Sequence, residues 1–167
     1  MTQNATVTIT ITAASDSKQY DGLPLISDGF TTSELPLGVT HVTATVEGSQ
    51  ADVGTSPNEV AAYTVWNGEQ DVTAFFPSIV LEAGTLTVTP NATVKITITA
   101  ASDSKEYDGL PLTNNSFTTS TLPLGVTHVT TAIEGSQTNV GDSPNTVTAY
   151  MLWNCIQDVT AFYVDVE

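Results

Sequence analysis

Few side chains in this sequence could do bond-making chemistry. Two histidines, His41 and His128, and one cysteine, Cys155, are the whole complement of imidazole and thiol groups. Nucleophilic catalysis needs a Ser, Thr or Cys within reach of a base that takes its proton. His41 and His128 stand at equivalent positions of two similar stretches, Val39 to Val46 and Val126 to Ile133. There they alternate with apolar residues and fall on the polar face of a Thr-rich strand, which reads as solvated surface. Carboxylates are abundant, but Asp16, Asp21 and Asp28 are scattered and no loop has the Asp-x-Asp-x-Asp-Gly spacing of a calcium site. The stretch Thr89-Pro90-Asn91-Ala92-Thr93 carries no carboxylate either. The residues therefore predict a non-enzymatic protein with no cofactor and no metal.

Binding chemistry has better candidates. Trp66 and Trp153 precede matched hairpin tips, Asn67-Gly68 and Asn154-Cys155. An exposed Trp at such a place is a stacking platform for a sugar or an anchor for a protein; a half-buried one only finishes a strand. Tyr20 and Tyr107, each ahead of Asp-Gly, join them as candidate contact residues. Lys18 and Lys105 are two of only three lysines and occupy one repeated position. They suggest structural pairing, either an ion pair with a carboxylate such as Asp21 or Asp71 or an isopeptide bond to a group such as Asn67 or Asp71. The second option needs a neutral lysine in an apolar pocket. Cys155 has no second cysteine to pair with inside the chain. At a tolerant loop tip it is either drift or a link to another chain.

The balance of charge limits the partners. Eighteen acidic residues face three lysines and no arginine, for a formal net charge of −15. Phosphate backbones and anionic lipid surfaces both demand cationic side chains, so nucleic-acid binding and membrane-surface attraction are excluded classes. No signal peptide, sorting signal or apolar run long enough to span a bilayer is visible, so direct membrane insertion is not expected.

The elements that would hold these residues are strands. From Leu86 to Ala100 every even position is apolar or Pro and every odd position is polar. This period of two defines strands with one buried face. Pro90 cannot donate to a ladder and splits the run in two. Asn4-Ala-Thr-Val recurs as Asn91-Ala-Thr-Val, and the match continues without a gap at an offset of about 87 residues, with roughly 70% identity. Each copy carries strand candidates at equivalent places. In the first they are Val7 to Ile11, Phe30 to Leu35, Val39 to Val46, Val60 to Trp66, Val72 to Phe76 and Gly84 to Thr89. Gly48 to Asn58 reads as loop. The expected architecture is all-β: two tandem immunoglobulin-like β-sandwich modules, 4–90 and 91–167. A β-grasp fold is the runner-up, though it needs a helix the pattern does not supply. The second copy has no counterpart of Gly84 to Thr89, so either it lacks a closing strand or the boundary shifts toward residue 84.

Several motifs recur in order: Lys-x-Tyr-Asp-Gly, Leu-Pro-x-Gly, Gly-Ser-Gln-x-x-Val-Gly and Asp-Val-Thr-Ala, with Gly-Thr-Leu-Thr-Val-Thr once. The string resembles the YDG/MBG-type repeat domains of bacterial cell-surface proteins, common among gut Firmicutes, some of which bind immunoglobulins. The resemblance covers nearly the whole chain. It implies a secreted, wall-anchored parent protein and an extracellular location on the bacterial surface. It further implies an adhesin-like role toward a host protein such as immunoglobulin, or toward a mucosal glycoprotein, with neighbouring repeats of the same chain as partners. A passive stalk that projects another domain is the alternative. The family supplies no defined ligand site to transfer.

Overall fold

The computed structural model describes residues 2–167. It is all-β, with two 3-10 turns, and divides into two compact units. Among the described residues no helix is long and apolar enough to cross a membrane.

The first unit contains residues up to Lys18 and from Pro24 to Thr89. Its strands are β1 (Ile9–Ala13), β2 (Asp16–Gln19), β3 (Phe30–Thr32), β4 (His41–Glu47), β5 (Gly54–Asn67), β6 (Gln70–Asp71), β7 (Ile79–Glu82) and β8 (Gly84–Thr89). One sheet has the order β3-β1-β7, in which β1 is antiparallel to β3 and parallel to β7, with Ile9 opposite Ile79. The other has the order β2-β8-β5-β4, and β6 folds back on β5. Alternation in β1 buries Ile9 and Ile11 completely. They meet Val65 of β5, with Val72 and Phe76, and the half-buried Phe30, Val42, Tyr63 and Ile79 close the cluster. Burying each such side chain contributes about 1.5–3 kcal/mol. The core therefore draws on both sheets, as a sandwich does.

β5 is long because it serves two partners. Gly54 to Asn58 pair with β8, and Glu59 to Trp66 pair with β4. Asn58 sits where the partner changes and is fully buried. Its amide donates to the Ala14 carbonyl at 2.8 Å and to the Ser27 carbonyl at 2.9 Å. These bonds tie the residue after β1 and the segment leading into β3 to β5. β8 can start where it does only because residue 84 is glycine. A Cβ there would lie 2.2 Å from the Ala14 carbonyl oxygen and 2.6 Å from that of Ala13. We expect Gly84→Ala to destabilise the first unit by about 1–3 kcal/mol, as overpacking does. A urea midpoint unchanged within error would contradict this.

The second unit holds Gln19 to Leu23 and Pro90 to Glu167. Its strands are β9 (Asn91–Ile96), β10 (Ile98–Ala100), β11 (Phe117–Thr119), β12 (His128–Glu134), β13 (Thr146–Asn154), β14 (Gln157–Asp158) and β15 (Tyr163–Val166). β9 and β15 run parallel, β10 pairs antiparallel with β11, and β12, β13 and β14 form a meander. Ile96, Leu152 and Val159 are fully buried, with Ile98 and Tyr163 nearly so.

Gly84 to Thr89 lies in the first unit, and Pro90 separates β8 from β9. Other expectations change. The division between units is not a single cut, because Gln19 to Leu23 of the first repeat is part of the second unit. The alternation is interrupted only next to Pro90, where Asn91 is buried and Ala92 exposed; Ile96 and Ile98 are buried on the even positions again. The Asn91 side-chain oxygen accepts from the Thr93 and Val94 amides at 3.0 Å each, a local turn that points this one side chain inward. Val72 to Phe76 is not a strand. Asp71 accepts from the Thr73 amide at 2.9 Å and starts a 3-10 turn, Thr73–Phe75.

Candidate binding surface

The hydrogen-bond register of β4 on β5 places His41 directly opposite Trp66. Their rings are nearly parallel, 11° apart, with centroids 6.0 Å from each other. The indole N–H donates to Thr43 Oγ1 at 2.9 Å. Thr40 Oγ1 holds the corner by donating to the Trp66 carbonyl at 3.1 Å and accepting from the Gly68 amide at 2.8 Å. Trp66 is half-buried, whereas His41 and Thr43 are exposed. β12 on β13 repeats the arrangement with His128 and Trp153: centroids 6.0 Å apart, rings 8° apart, and the indole donating to Thr130 Oγ1 at 2.9 Å. Each unit thus carries one ledge of imidazole, indole and hydroxyl. It offers stacking faces and short-range hydrogen bonds, with no acid–base pair aimed at a common point. Thr43 and Thr130 were not singled out from sequence. The signal was there in the alternation, since each lies two residues after its histidine on the same strand face.

The two tyrosines part company. Tyr20 is 2% exposed and belongs to the second unit. Its ring meets Phe162 edge-on at 4.8 Å and Tyr163 at 5.7 Å. Its carbonyl accepts from the Asn91 amide group at 2.9 Å, and its hydroxyl accepts from Asn154 at 3.3 Å. Tyr20 is therefore packed inside the second unit, whereas a contact role asks for an exposed ring. Its counterpart Tyr107 is 66% exposed.

Lys105 pairs with Asp108 at 2.7 Å. That ammonium, with the Leu110 amide, holds the Asp108 carboxyl below the usual carboxylate range. Both side chains stay in contact with water, so the dry pocket that isopeptide chemistry requires is missing there. Lys18 lies on β2, and its backbone carbonyl accepts from Thr89 Oγ1 at 3.3 Å. Asp71 is engaged by Thr73, whose hydroxyl and amide hold its carboxyl below the ordinary value, and Thr160 does the same to Asp158. Cys155 is exposed at the hairpin tip with φ of 55°, a left-handed conformation that glycine takes at the equivalent Gly68. No cluster of three or more potential metal ligands occurs among the described residues.

Tyr163 is the most perturbed group. Burial, then the neighbouring Tyr20 and Asp21, push its phenol up to about 12, and its hydroxyl donates to the Leu124 carbonyl at 2.7 Å. A pKa raised in the folded state means stability that is complete below the ordinary value of 10.0 and lost as pH climbs through the folded value. We expect the second unit to weaken between about pH 10 and about 12 as this phenol ionises. Ultraviolet titration of tyrosinate should show one late-ionising group that disappears in Tyr163→Phe. Ionisation of all tyrosines in a single step near 10 would refute it.

Comparison with protein-family models, curated proteins and solved structures found no match.

Proposed function

We propose that this chain is a non-enzymatic repeat segment of a bacterial surface protein that binds a host protein through its duplicated ledge. The observation that carries this reading is the recurrence of the His–Trp–Thr geometry in both units, with the same centroid separation of 6.0 Å and the same indole bond of 2.9 Å. Half-buried tryptophan beside exposed hydrogen-bonding groups is the composition of protein contact sites. Two equal sites on one chain raise apparent affinity by about 10²–10⁴ when one target engages both. The net charge of −15 supports a partner with a basic or neutral contact face. Immunoglobulin and mucosal glycoprotein are the candidates that the resemblance to surface repeats suggests, and an extracellular setting follows from the same resemblance.

A stalk is the second reading. It is favoured by the Gln19 to Leu23 segment of the first repeat, which forms part of the second unit and suits modules built in series. Immobilised immunoglobulin and mucin, probed with the chain and with a His41→Ser/His128→Ser variant, separate the two. Capture that falls at least tenfold in the variant is the result expected of the ledge. No capture overturns the binding reading and leaves the stalk, and equal capture by both forms overturns the ledge as the binding site.

A further inference from the structure

We propose that Asn67 is a site of spontaneous covalent modification, at which the backbone nitrogen of Gly68 displaces the side-chain amide as ammonia. Asn67 is the one asparagine of the chain that a glycine follows. It ends β5 opposite Gln70, so Gly68 and Glu69 form a two-residue turn. Asn67 and Gly68 are both exposed. A Cβ on residue 68 would meet nothing within 4 Å, and the glycine has φ of 61°.

Ring closure needs two things. The carboxamide must be free to turn back onto the next peptide nitrogen, and no side chain may shield that nitrogen. The tip meets both conditions. The Asn67 carboxamide makes no hydrogen bond among the described residues. Asn58, Asn91, Asn145 and Asn154 all donate theirs to an oxygen.

The second unit supplies the comparison. Asn154 stands at the same place, opposite Gln157. It is half-buried, and its amide donates to the Tyr20 hydroxyl at 3.3 Å. The following residue is Cys155, whose Cβ shields the nitrogen. The two hairpins otherwise agree. The Gly68 and Cys155 amides donate to Thr40 and Thr127 Oγ1, each at 2.8 Å. That bond therefore does not distinguish them; the free carboxamide and the bare α-carbon do.

The reaction balances with water as its only co-reactant. The Gly68 nitrogen gives up its proton and bonds to Asn67 Cγ. The Cγ–Nδ2 bond breaks, and Nδ2 leaves as ammonia with that proton. Water then adds to either carbonyl of the resulting cyclic imide and breaks its bond to the nitrogen. Opening at one carbonyl gives aspartate. Opening at the other gives isoaspartate, with the backbone routed through Cγ. No oxidant or reductant takes part.

The change reaches the ledge. The imide nitrogen carries no hydrogen, so the Gly68 bond to Thr40 is lost at that stage. Thr40 also holds the Trp66 carbonyl at 3.1 Å. The product adds a carboxylate beside Trp66 and, in isoaspartate, an extra backbone carbon. An aged chain then keeps one unaltered ledge of two, a consequence for binding that rests on the reading above.

The test keeps the full chain at neutral pH and physiological temperature for several weeks. Samples digested at intervals are read by mass spectrometry for the exchange of amide for carboxyl at each asparagine. Conversion at Asn67 should run at least about tenfold faster than at Asn154, and Gly68→Ala should slow it about as much. In Cys155→Gly a glycine follows Asn154 too. Its bond to Tyr20 should still hold its conversion well below that of Asn67. An Asn67 that keeps its amide, or converts no faster than Asn154, overturns the proposal. Conversion of Asn154 in Cys155→Gly at the rate of Asn67 overturns the part given to the free carboxamide. No readout involves binding, so failure here leaves the ledge untouched.

Discussion

Tyr20→Ala is expected to destabilise the second unit by about 3–5 kcal/mol, the usual cost of removing a buried aromatic, whereas Tyr107→Ala shifts neither unit by more than about 0.5 kcal/mol. The two residues share a motif and stand at equivalent repeat positions, so local sequence gives no reason for the contrast. Surroundings give it. Tyr20 is 2% exposed and packed edge-on against Phe162 and Tyr163, while Tyr107 is 66% exposed. Removing the Tyr20 ring leaves a cavity lined by those two rings and strands the Asn154 amide without the phenol oxygen. The effect also falls on the unit that does not contain most of the mutated repeat. Urea unfolding in a Trp66→Phe background makes Trp153 the only tryptophan and a reporter of the second unit. A Tyr20→Ala transition that overlays the parent would show that Tyr20 contributes nothing there. A loss in Tyr107→Ala as large as in Tyr20→Ala would show that the motif acts locally.

Leu86→Ala should cost the first unit about 2–5 kcal/mol. Leu86 is 0% exposed at the middle of β8, the strand that joins β2 to β5. Weakening β8 should release both neighbours together. Amides of Asp16 to Gln19 and Gly54 to Asn58 should exchange at rates approaching those of their counterparts in the second unit, which are not in strands. The β4–β5 pairing should keep its protection, because it rests on the core of Ile9, Ile11 and Val65. Uniform loss across the first unit would mean that β8 and the core open as one.

What the sequence made legible depended on contrast between faces. β1 and β8 were readable because apolar residues alternate with Thr, and burial follows that alternation in both. β2 was not, since Asp16-Ser-Lys-Gln is polar on both faces and becomes a strand only through its pairing with β8. β7 was missed for the opposite reason: Ile79-Val-Leu is apolar without alternation, and its parallel pairing with β1 joins residues 70 positions apart. The turn after β6 could have been read from Asp71-Val-Thr73, an Asx-turn spacing. The ledge was half legible: Trp66 and Trp153 stood out, but their histidine and threonine partners required the cross-strand register. The burial of Tyr20 was not legible at all, because its partner Asn154 lies 134 residues away.

That distance has a consequence in time. A chain grows at about 5–20 residues per second, so Tyr20 leaves the ribosome on the order of ten seconds before Asn154 is made. The first unit's core, from Ile9 to Ile79, is complete well inside that interval. Throughout it, a large aromatic ring and its neighbours hang unsheltered from an otherwise finished body, visible to chaperones and proteases. Birth order thus makes the early repeat hold open a piece that only the late repeat can close. Nascent chains stalled before residue 150 should be cut by chymotrypsin at Tyr20, and released full-length chains should not. Equal protection of both would mean that the ring finds shelter elsewhere first.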